Sequence, residues 1–375
     1  MKLLKVATTA TALFAVIAVA GCGGTKHASD DTPTTPATPS TAPATPAMQP
    51  QAVPSVPTAP VPQGFHPVSI TVVGHIRYLL GGVGSRTSLA RSTDSGNTFS
   101  AIPAPEVPLG VSATGDSNDR NSVHDVRFAS LRDGWMYGGA LYATHDGGAN
   151  WRPIDLGGSV LDLAVSGNSV YALAANCAAA CSNLHLMTTL TTSDSWQAVP
   201  GLQTDAGMGA LAVTGTERAA IAGQAVYEGT GKAWARTGTI PCQTDSLAAS
   251  AAGTRLVTYC AEGAAGSAYL TAYYSDDHGA SWRKSGAALR VPSGHQSVTV
   301  AGPSTLLVAT SNPDTAGGLW RSTDAGQHWN QVSGVNWWYV GATTSSDLVG
   351  VPAGAPAAWS DSHDGGRTWA SHRIG

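Results

Sequence analysis

The chain has 375 residues, with 44 glycines and 22 prolines, and only 12% of its residues are charged. So much glycine with so little Lys and Glu argues against coiled coils and helical bundles and favours short strands joined by many turns. The net charge is −4 with no basic block, which argues against nucleic acid as a partner, because phosphate neutralisation needs clustered Lys and Arg.

Lys2 and Lys5 precede a mostly apolar run from Val6 to Val19, too short for a bilayer span, which takes about 20 apolar residues. The run ends in Val19-Ala20-Gly21-Cys22, small residues ahead of a cysteine. This pattern resembles a bacterial lipoprotein signal. The resemblance implies that residues 1–21 are a signal peptide and that Cys22 becomes the lipidated N-terminus. It also implies that acyl chains, palmitate among them, hold the protein at the extracytoplasmic face of the cell membrane. The alternative is an ordinary secretory signal with a chance cysteine. Loss of Lys2 and Lys5 takes the basic count from 20 to 18 against 24 acids, a balance of −6. A body of that charge gains nothing from anionic head groups, so the acyl chains must carry the anchoring.

Residues 22–65 show no core-forming pattern. Ten of the 22 prolines fall between Pro33 and Pro62, interleaved with Thr, Ala and Ser. The segment is expected to be a disordered, partly polyproline-II stalk. Its ~40 residues at ~3.1 Å each would reach on the order of 100 Å when fully extended.

Residues 66–375 contain a recurring turn. Five copies are strong: Ser92 to Phe99 (STDSGNTF), Thr144 to Trp151 (THDGGANW), Ser275 to Trp282 (SDDHGASW), Ser322 to Trp329 (STDAGQHW) and Ser362 to Trp369 (SHDGGRTW). Two are eroded, one ending at Trp196 and one at Trp234. The closing aromatics Phe99, Trp151, Trp196, Trp234, Trp282, Trp329 and Trp369 recur every 38 to 52 residues, a period typical of propellers and other closed arrays. The turn resembles the Asp-box, or BNR repeat, of sialidases, sortilin-type receptors and the photosystem II stability/assembly factor family. The stretch Asp133 to Trp151 (DGWMYGGALYATHDGGANW) is most similar to the last of these.

The resemblance implies an all-β fold, a seven-bladed β-propeller of four-stranded antiparallel blades, with about 44 residues available per blade. Six or eight blades stay open because the third and fourth units are weak. Asp94, Asp146, Asp277, Asp324 and Asp364 are expected to bond the backbone of their own turns, with the aromatic packed inward. Chain order should match blade order, with no strand exchanged to close the ring. Box turns then crowd one face, and function is sought on the other, in loops such as 103–122, 175–184 and 333–338.

Four cysteines remain in the body. Cys177–Cys181 and Cys242–Cys260 is the favoured pairing, since all four fall on the box-free face in two local pairs and disulfides persist outside the cytoplasm. The rival metal site lacks a ligand pattern. His145, His278, His328 and His363 occupy variable box positions and read as solvated turn residues. The polar run Gly115 to Asn121 could bind a cation or a sugar, but reads more simply as a solvated loop.

Trp337, Trp338 and Tyr339 are surplus to the boxes and enter the first strand of the last unit, at the rim of the central channel. They are the best candidates for stacking on a sugar or anchoring a protein. The competing reading packs alternate side chains between blades.

A sialidase would need an arginine triad, a Tyr nucleophile paired with Glu, and an Asp acid. Its usual N-terminal motif is missing. There are four glutamates, Glu106, Glu217, Glu228 and Glu262; Glu228 adjoins Tyr227 but in an eroded box on the far face, and Glu262 follows Cys260 on the box-free face with no identifiable Tyr partner. The expectation is a non-catalytic protein with no metal and no cofactor. It acts as a monomeric scaffold or assembly factor for an envelope protein, with a glycan-binding or exo-sialidase-like module as the alternative.

Overall fold

A computed structural model describes residues 52–374, apart from 113–114, 117–118, 178–179, 215–216, 231–232, 245, 250–253, 265–266, 313, 315–316 and 355. The signal segment, Cys22 and most of the stalk lie outside the described residues.

Seven antiparallel blades follow one another in chain order. Blade 1 is His66–Val73, Ile76–Val83, Arg86–Ser92 and Ser100–Ile102. Blade 2 begins at Asp125–Phe128, blade 3 at Ser159–Ser166, and blade 4 at Gly209–Val213. Blades 5, 6 and 7 begin at Leu247–Ala249, His295–Val300 and Trp337–Ala342. Each blade is a four-stranded meander, and blade 5 carries one further strand, Leu289–Val291, on its third. Among the described residues, no strand is exchanged between the first and last blades. The third and fourth units are full blades despite their eroded boxes.

The core is divided among the seams between neighbouring blades. Seven apolar clusters correspond to seven seams, from Tyr78 and Phe128 between blades 1 and 2 to Ile70, Leu79 and Trp359 between blades 7 and 1. Alternation in the strands supplies both faces: successive side chains of a blade point into its two flanking seams. Tyr78 stacks flat on Phe128 with ring centroids 3.6 Å apart.

The box aromatics have one rule. Trp151, Trp196, Trp234, Trp282, Trp329 and Trp369 each pack in the seam with the preceding blade, and Phe99 does the same with blade 7. They are mostly half-buried wedges rather than residues sealed beneath a blade. Phe99 therefore closes the ring, edge-on to Trp359 at 6.4 Å.

Residues 52–65 differ from the expected stalk. Ala59 exchanges two backbone bonds with Ala101 on the outer edge of blade 1, at 3.0 and 2.8 Å. Val56 is buried between blades 1 and 2, and Phe65 between blades 7 and 1. This strap covers a sheet edge that would otherwise expose unpaired N–H and C=O groups. Its valines and Phe65 are the apolar anchors that the proline-rich composition obscured.

Candidate functional site

The five strong boxes are closed hydrogen-bonded turns. In the first, Ser92 Oγ accepts from Gly96 N–H at 2.8 Å and donates to Asp94, which accepts from Thr98 N–H at 2.9 Å. The same bonds recur around Asp146, Asp277, Asp324 and Asp364. Bonds from Ser92 and Thr98 hold the Asp94 carboxyl down at about 2, and bonds from Ser281 and Ser275 do the same for Asp277. For Asp324, burial pushes upward but His328 and Ser322 outweigh it, again reaching about 2. The box glycines Gly96, Gly148, Gly279, Gly326 and Gly366 have φ between 80° and 93°, where a side chain is strained. A Cβ at each would also meet the preceding blade, for example Trp359 at Gly96 and Leu307 at Gly366. The boxes are joints of the fold, and their carboxylates are committed to the turns.

The eroded boxes use their acids differently. Asp194 of blade 3 accepts from Arg152 Nη2 of blade 2 at 2.5 Å and lies 3.1 Å from His145 Nε2. In blade 4, Glu228 of the eroded box lies 3.6 Å from His278 Nδ1 of blade 5, beside buried Glu217 from the turn between the first two strands, at 2.9 Å from the same nitrogen. Burial raises the Glu217 carboxyl, and the charge of His278 opposes that rise. Carboxylates from neighbouring blades thus face both His145 and His278; His145 is largely covered, at 23% exposure, whereas His278 stays partly solvated at 43%. His328 and His363 are exposed, at 84% and 73%, though each bonds an aspartate.

The aromatic trio divides between three environments. Trp337 is buried in the seam between blades 6 and 7, its ring 5.1 Å from Trp369 and its Nε1 donating to Ser333 Oγ at 3.1 Å. Trp338 is half-buried beside His295, with ring centroids 5.4 Å apart, and its carbonyl lies 2.6 Å from His295 Nε2. Tyr339 turns into the central channel. An irregularity in strand pairing between Trp337 and Tyr339 helps to set this division. Trp338 forms a wall shared by two pockets on the box-free face. One, of about 370 Å³, is lined by His66, Leu109, Val111, Asn336 and Pro352. The other, of about 130 Å³, includes His124, Asp125 and His295. Among the described residues, no Lys, Arg, Asp or Glu lines the larger pocket.

The channel, about 340 Å³, is lined by the first strands of blades 2 to 7. On one side stand Asp125, Arg127, Tyr137, Asp162 and Tyr339; the opposite wall is small and uncharged, with Ala212, Thr214, Ala248 and Ser297. Ser69 Oγ donates to Asp125 at 2.8 Å. The Arg127 guanidinium, beside Tyr137, Tyr339 and Asp125, is raised despite its burial. Burial raises both tyrosines. Asp162 is pushed up to about 6 by burial, although Leu211 and Leu163 N–H groups each donate to it at 2.7 Å. This charged wall was missed in the sequence reading. Its signal was charge at inward positions of first strands, Asp125 and Arg127 in blade 2 and Asp162 in blade 3.

Elsewhere the expectations find their places. Disulfides join Cys177 to Cys181 and Cys242 to Cys260. Asp119 caps its own exposed loop by accepting from Asn121 at 3.0 Å, while residues 117–118 lie outside the described set. Among the described residues, none of the four glutamates lines the channel or the Trp338 pockets, and no group of three His, Cys, Asp or Glu is placed to hold a metal.

The BNR/Asp-box repeat family matches residues 273–284, the box of blade 5. No curated protein matches the sequence. Among solved structures, YCF48 bound to D1 peptide is similar at 16% identity, covering 80% of this chain and 97% of that one, with a TM-score of 0.51. YCF48 from Cyanidioschyzon merolae is similar at 15% identity, covering 82% and 99%, with a TM-score of 0.50. An ulvan lyase, described as a new family of polysaccharide lyase, is similar at 11% identity over 87% and 96%, with a TM-score of 0.51. At these identities the likeness concerns the fold: the chain is a seven-bladed Asp-box β-propeller.

Proposed function

We propose that this protein is a lipid-anchored, extracytoplasmic propeller that binds another envelope protein through its box-free face, as a non-catalytic scaffold or assembly factor. The observation that carries the reading is Trp338, a half-buried ring between two pockets at the channel mouth. Tryptophan in a concave, largely desolvated position is the side chain most enriched at binding hot spots. The similar YCF48 structure with a bound peptide supports a peptide-binding role for a ring of this shape. The Val19 to Cys22 motif supports lipid anchoring, and the two disulfides support a compartment outside the cytoplasm. Photosystem function is not carried over.

The test is cross-linking in the native membrane, followed by capture and mass spectrometry, with Trp338→Ala and the box-face variant His328→Ala in parallel. A dominant partner lost with Trp338→Ala, kept with His328→Ala, and rebinding in purified form supports the reading. A partner indifferent to Trp338 overturns it. The uncharged lining of the larger pocket favours a second reading, a neutral sugar stacked on Trp338. Under that reading a polysaccharide and sialoside screen finds a ligand that quenches tryptophan fluorescence in the wild type and not in Trp338→Ala.

A further inference from the structure

One box histidine bridges two blades through both of its ring nitrogens. His145 Nδ1 lies 2.8 Å from Asp133 Oδ1, in the turn between the first two strands of its own blade. Its Nε2 lies 3.1 Å from Asp194 Oδ1 of blade 3. A neutral imidazole offers one N–H and one lone pair, so it satisfies only one ionised carboxylate while the other faces a lone pair. Two ionised carboxylates on the two nitrogens fit a doubly protonated ring.

The remaining charges around the ring are accounted for. Arg152 takes the second oxygen of Asp194, Ser130 Oγ donates to the second oxygen of Asp133 at 2.7 Å, and Asp146 is turned into its own box. His145, Asp133 and Asp194 are 23%, 12% and 18% exposed, so solvent screens the cluster incompletely. Asp194 belongs to the eroded turn of blade 3. In a strong box the aspartate accepts from its own turn; here its carboxylate serves the neighbouring blade.

The same seam is joined by backbone on the box-free side. Gly139 and Val160 exchange two N–H···O bonds, both at 2.9 Å. Gly138 and Gly139 have φ of 115° and 107°, a region open to glycine and costly for other residues. Between this joint and His145 lies the apolar cluster around Trp135 and Leu163.

We propose that His145 is a proton-operated latch across the seam between blades 2 and 3, closed while the ring carries both protons and released on the box face when it loses one, with the Gly139–Val160 joint as the hinge. Burial lowers the ring's pKa, but its bonds to Asp133 and Asp194 outweigh burial and raise it. A histidine raised in the folded state contributes fully below its unfolded value of ~6.5 and loses that contribution as pH climbs through the folded value. The first strands on either side of this seam carry Arg127 and Asp162, so release loosens the charged wall of the channel.

The test is hydrogen exchange on the whole chain at about pH 6 and about pH 8.5, corrected for intrinsic amide rates. In the wild type, protection of amides 146–150 and 193–196 falls by roughly fivefold or more at the higher pH, the scale of losing one partly exposed ion pair. Gly139 and Val160 stay protected. In His145→Gln the same amides exchange fast already at the lower pH and do not respond further; Asp194→Asn gives an independent weakening of the latch. His328→Gln keeps the wild-type response. An unchanged pH response in His145→Gln overturns the proposal, as do ring ¹⁵N shifts showing a single proton at the lower pH.

Discussion

Trp359→Ala probes the closing seam, where no shared strand links blade 7 to blade 1. The indole is fully buried, its Nε1 donates to the Gly96 carbonyl at 3.2 Å, and it packs edge-on to Phe99 and flat on His372. A tryptophan buries roughly 150–250 Å², which at ~25 cal/mol per Å² amounts to about 4–6 kcal/mol before the seam relaxes. Trp-to-Ala losses in cores run at ~3–5 kcal/mol, and stranding the Gly96 carbonyl adds about 1 kcal/mol. The expected loss is therefore ~5 kcal/mol. Trp369→Ala, at a half-buried box position, is expected to cost ~2–3 kcal/mol from its smaller buried area. The assay is equilibrium urea unfolding followed in parallel by fluorescence and far-ultraviolet circular dichroism. Because the seam is non-covalent, Trp359→Ala should also lower the m-value and separate the two transitions as blades 1 and 7 fray. A loss below ~2 kcal/mol with coincident transitions would refute closure by this contact.

Asp94, Asp277 and Asp324 have lowered carboxyls, so their contribution is fully present above the unfolded value of ~3.9 and is lost as pH falls toward the folded value of about 2. Asp277→Asn should flatten the acid limb of stability measured between those values; an unchanged limb would show that the turn does not depend on the charge. Reduction of Cys242–Cys260, which closes an 18-residue separation, should cost about 3 kcal/mol, against ~2 kcal/mol for Cys177–Cys181 with a separation of 4. Serine pairs at each site, compared by urea unfolding, test that ranking, and equal losses would contradict it. Cys22→Ala should move the protein from the membrane fraction to the soluble fraction; unchanged partitioning would remove the lipid anchor.

The blades were legible because their marker is local. A box needs Ser or Thr, Asp and Gly within eight residues, and each of those contacts lies inside one turn. The seam rule was hidden because Trp151 bonds Pro103 O, 48 residues away in blade 1, a distance over which no periodic pattern operates. The sequence offers Trp337, Trp338 and Tyr339 together as ligand candidates, with packing between blades as the competing reading, and does not say which ring would be left at a pocket. That outcome depends on the strand irregularity beside Pro352 and on His295 from blade 6. The charged wall was hidden because Asp125 and Arg127 share a strand of blade 2 while Asp162 lies in blade 3, and only the ring brings those strands together. The strap was misread because composition averaged its few anchors, Val56 and Phe65, over ten prolines.

Closure without a shared strand means that the ring has no privileged beginning. Phe65 and Ile374 pack in one cluster, so the two ends of the propeller meet at a single seam. A short peptide could join them, and the chain could be reopened in another exposed connection, such as residues 205–208 between blades 3 and 4. Such a circular permutant would keep every box aromatic against its preceding blade, including Phe99 against Trp359. The seven turns specify a cyclic order, and the break at this seam is only one of its possible cuts.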